Sequence, residues 1–334
     1  MKGGNVSSLR IMFRRCITVA AVLVFTFFTA GSSGAAVNAP AQLTIAYQPG
    51  IGYAPILVMK EAGWLEHDFP QMSVQWRQLS NGAAIRDGMI SGKIQAGVLA
   101  AGPFLIGWAH GVDWKIISNV SDMDLWLCTM NPHIHSLKDI KTGMQIGMPA
   151  PDSIEAVVLR KGAEEQLGNA HALDTNIVAI PHPEGLTALV NGQLTAHLTS
   201  APFEFEEVAH GAHVILDSKS LFGKTTFVAA VMPTSFYDQY PGFAAAFRRD
   251  VQRAIKLIET NPALAARYVA QAESKPSLTS QFKGWMTHKG VSYTTRPSGF
   301  LKIAAFMEQI GMISKAPTNT AAIEFPAAQK LGRR

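Results

Sequence analysis

The stretch "IGMPAPDSIEAVVLRKGAEEQLG", residues 146 to 168, sets Asp152 and Glu155 where an apolar strand passes through a proline-rich loop into a helix. Their three-residue spacing is that of a capping box, with Asp152 as the cap. A helix start aims unpaired N–H groups and a positive dipole end at whatever lies above it, which suits ligand oxygens. Here two carboxylates already sit on that end, so a bare anion would be repelled unless an arginine intervened. Arg77 and Arg86 are the arginines near the neighbouring loops. A zwitterion, or a neutral or cationic heterocycle, suits this charge balance better than nitrate or a simple dianion.

Four further loops have the same build. Gln48, Gly52 and Tyr53 follow the apolar run "LTIAY", and Asn81, Gly82 and Ala83 follow "VQWRQL". Ala101 and Gly102 follow "IQAGVL", Asp152 is joined by Ser153, and Ser200 and Glu204 close the set after "LTAHLT". Glycine lets backbone approach a ligand closely, Tyr53 offers a ring face and a hydroxyl, and Asn81 can cap a helix. Together these twelve residues are the expected ligand-binding set. Metal chemistry has weaker support: "HIH" (His133, His135) has no third ligand at a familiar spacing. Cys128, in the apolar "DLWLCTM", reads as a buried inert thiol. No nucleophile–base pairing and no GxxxxGK[ST] loop occurs, so neither a catalytic residue nor a cofactor is expected.

Loops of this kind need strands and helices to hold them. From Gln42 onward short apolar runs alternate with helical patterns, the signature of an α/β fold with a mostly parallel sheet. An internal echo supports two similar halves. "AIRDGMISGKIQAGVLAAGPF" (84–104) and "EGLTALVNGQLTAHLTSAPF" (184–203) each end a helix at Gly92 or Gly192. Each then enters a strand at Ala96 or Ala196 and reaches a Pro-Phe pair, read as a shared loop. Ahead of this, Lys2, Arg10, Arg14 and Arg15 precede an apolar run from Ile17 to Thr29 and then small residues, a secretory signal peptide with cleavage near Ala36. The run is shorter than the roughly 20 residues of a membrane span. The formal net charge of +5 drops to +1 without the four basic leader residues, which leaves no basic stripe for nucleic acid. The remaining length exceeds one core. The expected division is a leader at 1–36, a first lobe from 41–128 plus 229–312, a second lobe at 129–228, and a loose tail at 313–334.

The order of "YAPILVMKEAGWLEH", "SGKIQAGV", "HSLKDIKTGMQIGMPAPDS", "LVNGQLTAHLTSAPFE" and "YPGFAAAFRRDVQRAIKLIETNPALAARYVA" resembles the periplasmic solute-binding proteins of ABC importers for nitrate, sulfonates and taurine. Thiamine-pyrimidine synthases share that fold. The resemblance spans about residues 42 to 312. It implies a type II periplasmic-binding-protein fold, two α/β lobes joined by two crossover strands, with ligand contacts at the same strand-end loops. It further implies a monomeric periplasmic protein, not an enzyme, that captures a small organic solute, sulfonate- or taurine-like or thiamine-pyrimidine-like. A membrane permease and its ATPase would be its partners. The alternatives are a pyrimidine-synthase-type enzyme on the same fold, whose Cys-rich motif this sequence lacks, and a periplasmic ligand sensor or adaptor.

Overall fold

A computed structural model describes residues 39–326. The expected leader and the last residues of the expected tail lie outside that range. Eleven strands form among the described residues, in chain order β1 (Gln42–Tyr47), β2 (Ser73–Gln78), β3 (Ala96–Ala100), β4 (Trp114–Met123), β5 (Leu125–Thr129), β6 (Ile146–Met148), β7 (Ile177–Ala179), β8 (Ala196–Ser200), β9 (His213–Asp217), β10 (Thr226–Pro233) and β11 (Val291–Tyr293). They pair as a six-stranded sheet, β11-β4-β10-β3-β1-β2, and a five-stranded sheet, β7-β6-β8-β5-β9. In the first, β1 runs parallel to β2 and β3, while β10 runs antiparallel to β3. In the second, β6 runs parallel to β7 and β8, while β5 runs antiparallel to β8. The two halves thus repeat one plan: a parallel trio, then an antiparallel strand delivered from the other half. The architecture is the α/β, two-sheet one expected, but both sheets are mixed rather than mostly parallel, because each takes in antiparallel strands beside its parallel trio.

The sequence echo falls on equivalent places. Helices Gly82–Ile90 and His182–Val190 feed β3 and β8. Between them Gly92 (φ 72°) and Gly192 (φ 71°) take the left-handed conformation that turns a helix back toward its sheet. The Pro-Phe pairs do not form a shared loop, however. β3 runs straight into helix Ala101–Ala109, so Pro103 sits in its first turn, where a missing N–H costs nothing. Pro202, after a cis peptide bond, precedes helix Phe203–Ala209.

Two sequence boundaries shift. The strand at 125–129, placed in the first lobe as far as 128, pairs entirely within the five-stranded sheet, so the chain changes sheets at Asp124. It returns ahead of β10, whose first residues join the six-stranded sheet before 229. The tail is not loose up to Phe325. Ile323 and Phe325 are buried, Glu324 bridges to Ile116, and Phe325 stacks on Tyr237 at 3.8 Å. Apolar side chains hidden from sequence periodicity supply this anchoring.

The first sheet is covered by helices whose apolar faces meet in aromatic clusters. Phe104 stacks on Trp114 at 5.9 Å, and Phe243 touches Phe69, Phe236 and Phe247. The helix Pro241–Thr260 buries Phe243, Phe247, Val251, Ile255 and Ile258 along one face, as its three- and four-residue spacing predicts. Among the described residues no helix is long and apolar enough to cross a membrane.

Candidate functional site

The carboxyl ends of the parallel strands in the two sheets meet across a narrow cleft, the place where open α/β sheets hold ligands. From the six-stranded side come Gln48, Pro49 and Tyr53 after β1, Gly82 after β2, Ala100 at the end of β3 and Pro103 in the helix that follows it. From the other side come Pro149, Ser153, Ile154 and Glu155 after β6, His182 after β7, and Ser200 at the end of β8. Phe227, on the crossover strand β10, forms the floor. The empty space between these linings is about 340 Å³, part of it open to solvent, and the two halves lie close together in this conformation.

Two contacts draw them together. Arg86 Nη1 donates to Asp152 Oδ2 at 2.6 Å, joining a first-sheet helix to a second-sheet loop. Gly102 lies so near that loop that a Cβ would stand 3.0 Å from the Asp152 carbonyl oxygen and the Ile154 nitrogen. Asp152 accordingly does not cap the helix Ile154–Leu167. Ser153 does, its hydroxyl accepting from the Ala156 N–H at 3.3 Å. The arginine required to offset Asp152 is present, and Asp152 already engages it.

Glu155 and His182 form the polar wall of the second lobe. The Glu155 carboxylate is 3.4 Å from His182 Nε2, and both side chains are almost wholly buried. His182 Nδ1 and the Thr199 hydroxyl are hydrogen-bonded at 2.8 Å, and the ring stacks on Phe203. Burial pushes the Glu155 carboxyl up, but the hydrogen bond and charge of His182, with help from Ser153, outweigh it and hold Glu155 below the usual carboxylate range. The pocket thus contains an ionised carboxylate.

Opposite, Gln48 Nε2 donates to the Tyr53 hydroxyl oxygen at 2.6 Å. Burial, and next the charge of Glu155, push the Tyr53 phenol well above its usual range, so it keeps its proton. With its oxygen accepting from Gln48, that proton is free to be donated. Tyr53 and Phe227 meet edge to face at 6.4 Å.

Of the twelve expected residues, the cleft gathers Gln48, Tyr53, Gly82, Ser153 and Ser200; the other seven fall outside its lining. Gly52 lies beneath Phe227, where a Cβ would be 2.6 Å from the ring. Asn81 is a helix cap, accepting from the Ala84 N–H at 2.9 Å. Ala83 follows it in the same helix, and Ala101 is buried in the first turn of the next. Gly102 and Asp152 make the interlobe contacts. Glu204 is buried at the Phe203–Ala209 helix, one carboxylate oxygen unpartnered and its carboxyl pushed well up by burial.

Glu155, His182 and Phe227 were outside the expected set. Glu155 reads locally as a capping partner, and His182 as one of several scattered histidines. The position of His182 just after β7 is the signal that could have found it. Phe227 has no local signal, because it arrives on a strand from the other lobe. Behind His182, the fully buried His197 Nδ1 lies 2.5 Å from Glu207 Oε1. Burial pushes Glu207 up to about 8 and His197 well below its usual range, so the pair is held neutral. Cys128 is buried, and burial raises its thiol far above the usual range, as expected of an inert thiol. The "HIH" segment is a loop, and among the described residues no group of three His, Cys, Asp or Glu is arranged for a metal.

Comparison with known proteins agrees with this fold. Residues 37–273 match the NMT1-like family, and the chain belongs to it. A putative aliphatic sulfonates-binding protein of Bacillus subtilis is 25% identical over 250 residues, covering 72% of this chain and 73% of its own length. The alkanesulfonate-binding protein SsuA of Xanthomonas axonopodis pv. citri, solved bound to MOPS, superposes with a TM-score of 0.69 at 19% identity. That match covers 86% of this chain and 99% of the SsuA chain. The periplasmic nitrate-binding protein NrtA of Synechocystis PCC 6803 gives 0.66 at 16% identity, over 88% of this chain and 90% of its own. The fold is that of periplasmic binding proteins.

Proposed function

We propose that this chain is the periplasmic solute-binding component of an ABC importer, closing its two lobes on a small organic solute and presenting it to a membrane permease with its ATPase. The observation that carries this reading is the cleft itself: strand-end loops of both sheets converge on one small, mostly buried space that holds both donors and acceptors. The sulfonate- and nitrate-binding proteins of the same fold lend it support. In this reading the chain works as a monomer after export and loss of its leader, and performs no reaction. Closure excludes water from the solute and brings the two lobe surfaces into the relation a permease would recognise, a hinge transition. A thermal-shift screen of purified mature protein against small sulfonates, taurine, amines and pyrimidines tests it. A ligand selective for the folded state raises the melting temperature by mass action. Rises confined to nucleic acids or large polymers, or no rise with any small solute, would overturn the reading.

A further inference from the structure

The C-terminal part of the chain crosses from one half to the other and back. It leaves the six-stranded sheet at β11, forms the helix Phe300–Gln309, and rejoins that sheet where Ile323 and Phe325 bond to the backbone of Ile116. Between these anchors the helix touches both halves. Phe300 meets Phe104 of the first edge to face at 5.7 Å. Phe306 meets Phe222 of the second at 5.8 Å, and Lys302 Nζ donates to the Phe222 carbonyl at 2.8 Å. Near its far end Gln309 Nε2 donates to Glu164 Oε1 at 2.6 Å.

The turn after that helix joins a charged chain leading to the cleft loop. The Ile310 carbonyl lies 3.0 Å from His171 Nε2, and His171 Nδ1 lies 2.9 Å from Asp174 Oδ2. Asp174 Oδ1 accepts from Arg160 Nε at 2.9 Å, and Arg160 Nη1 donates to the Pro151 carbonyl at 3.0 Å. Pro151 adjoins Asp152, the partner of Arg86. Burial pushes Asp174 up, but Arg160 and His171 hold it below the usual carboxylate range, so it is ionised. A carbonyl and a carboxylate only accept, so both ring nitrogens of His171 must carry hydrogen for both bonds to exist. A neutral ring turns a lone pair toward one of these oxygens and loses that bond.

We infer that the segment from Phe300 to Met312 is a strap between the halves, latched to the second by the protonated ring of His171, so that the balance of open and closed lobes depends on pH. Its consequence for solute capture rests on the solute-binding reading above. The charged groups facing the ring are Asp174 on its own turn and Arg160 on the helix beside it, while the strap meets it with a carbonyl. The Asp174 hydrogen bond, then the Ile310 carbonyl, hold His171 above the usual imidazole range, and slight burial and the Arg160 charge offset them only in part. The latch is complete below the ordinary imidazole value of about 6.5 and is lost as pH rises through the higher value of the latched ring. His171 is exposed, so the balance shifts by a few-fold and not all-or-none.

Proton NMR titration of the mature protein without solute tests this. The His171 resonance is assigned by its absence from His171→Gln, and melting curves verify that each variant folds. The inference expects a midpoint above about 6.5 that returns toward that value in Asp174→Asn. It also expects solution scattering to give a larger radius of gyration at about pH 8.5 than at about pH 5.5, a difference that His171→Gln loses. A midpoint at or below the ordinary value, equal radii at the two pH values, or the same change in His171→Gln overturns the inference. No step uses a solute, so the thermal-shift screen decides the solute-binding reading separately.

Discussion

Arg86 Nη1 lies 2.6 Å from Asp152 Oδ2, tying a helix of the six-stranded half to the loop after β6 in the other half. The contact borders the cleft, next to Gly82 on one side and Ser153 on the other. It gives the closed arrangement an energetic basis that needs no solute.

Arg86→Ala is therefore expected to shift the unliganded protein toward an open form. Both side chains are partly exposed, so the loss is modest, about 1 kcal/mol or less. A larger radius of gyration in solution scattering than that of the wild type checks this, and equal radii would contradict it.

Gly102→Ala acts on the same interface by shape. Its added Cβ would stand 3.0 Å from backbone atoms of Asp152, Ser153 and Ile154, which cannot rotate away as a side-chain tip can. Solute affinity should fall several-fold, while the melting temperature without solute changes little. An unchanged affinity would show that the lobes do not approach this closely when loaded.

Gly185→Ala probes the support behind His182. A Cβ there would lie 2.4 Å from His197 Nε2, in a fully buried site. Overpacking of this kind costs about 1–3 kcal/mol. Urea denaturation should show a lower midpoint with an unchanged slope.

Glu207 supplies a pH prediction. Burial raises its folded pKa from 4.5 to about 8, so the folded state holds a proton that the unfolded state releases. Its contribution is fully present below 4.5 and lost as pH rises through about 8. His197 works in the opposite sense, because its depressed folded pKa favours unfolding as pH falls below the unfolded value of about 6.5. Above that value only the Glu207 effect remains of the two. The melting temperature should decline from about pH 6.5 to 8, and Glu207→Gln should flatten that decline. Identical slopes in the two proteins would refute the neutral pair.

The sequence shows the plan of the fold more readily than the lining of its site. Gly92 and Gly192 mark helix ends in advance because a left-handed turn has a local chemical signature. The repeat around Gly92 and Gly192 points to two equivalent halves for the same reason. The sheet to which Leu125–Thr129 belongs is set by pairing with distant β8 and β9, which no local pattern encodes. The site divides in a similar way. Tyr53 and Ser200 follow from the rule that ligands gather at strand ends. Whether Asp152 caps a helix or reaches across to Arg86 depends on how the lobes meet. Glu155 looks like a capping partner until His182, 27 positions later, is seen beside it.

The most direct test of the account is a crystal structure of the mature protein grown with the solute that most raises its melting temperature. It should show that solute enclosed between the lobes, touching Gln48 or Tyr53 on one side and Glu155 or Ser200 on the other. Solute density outside the cleft, or lobes still fully parted around a saturating ligand, would contradict it.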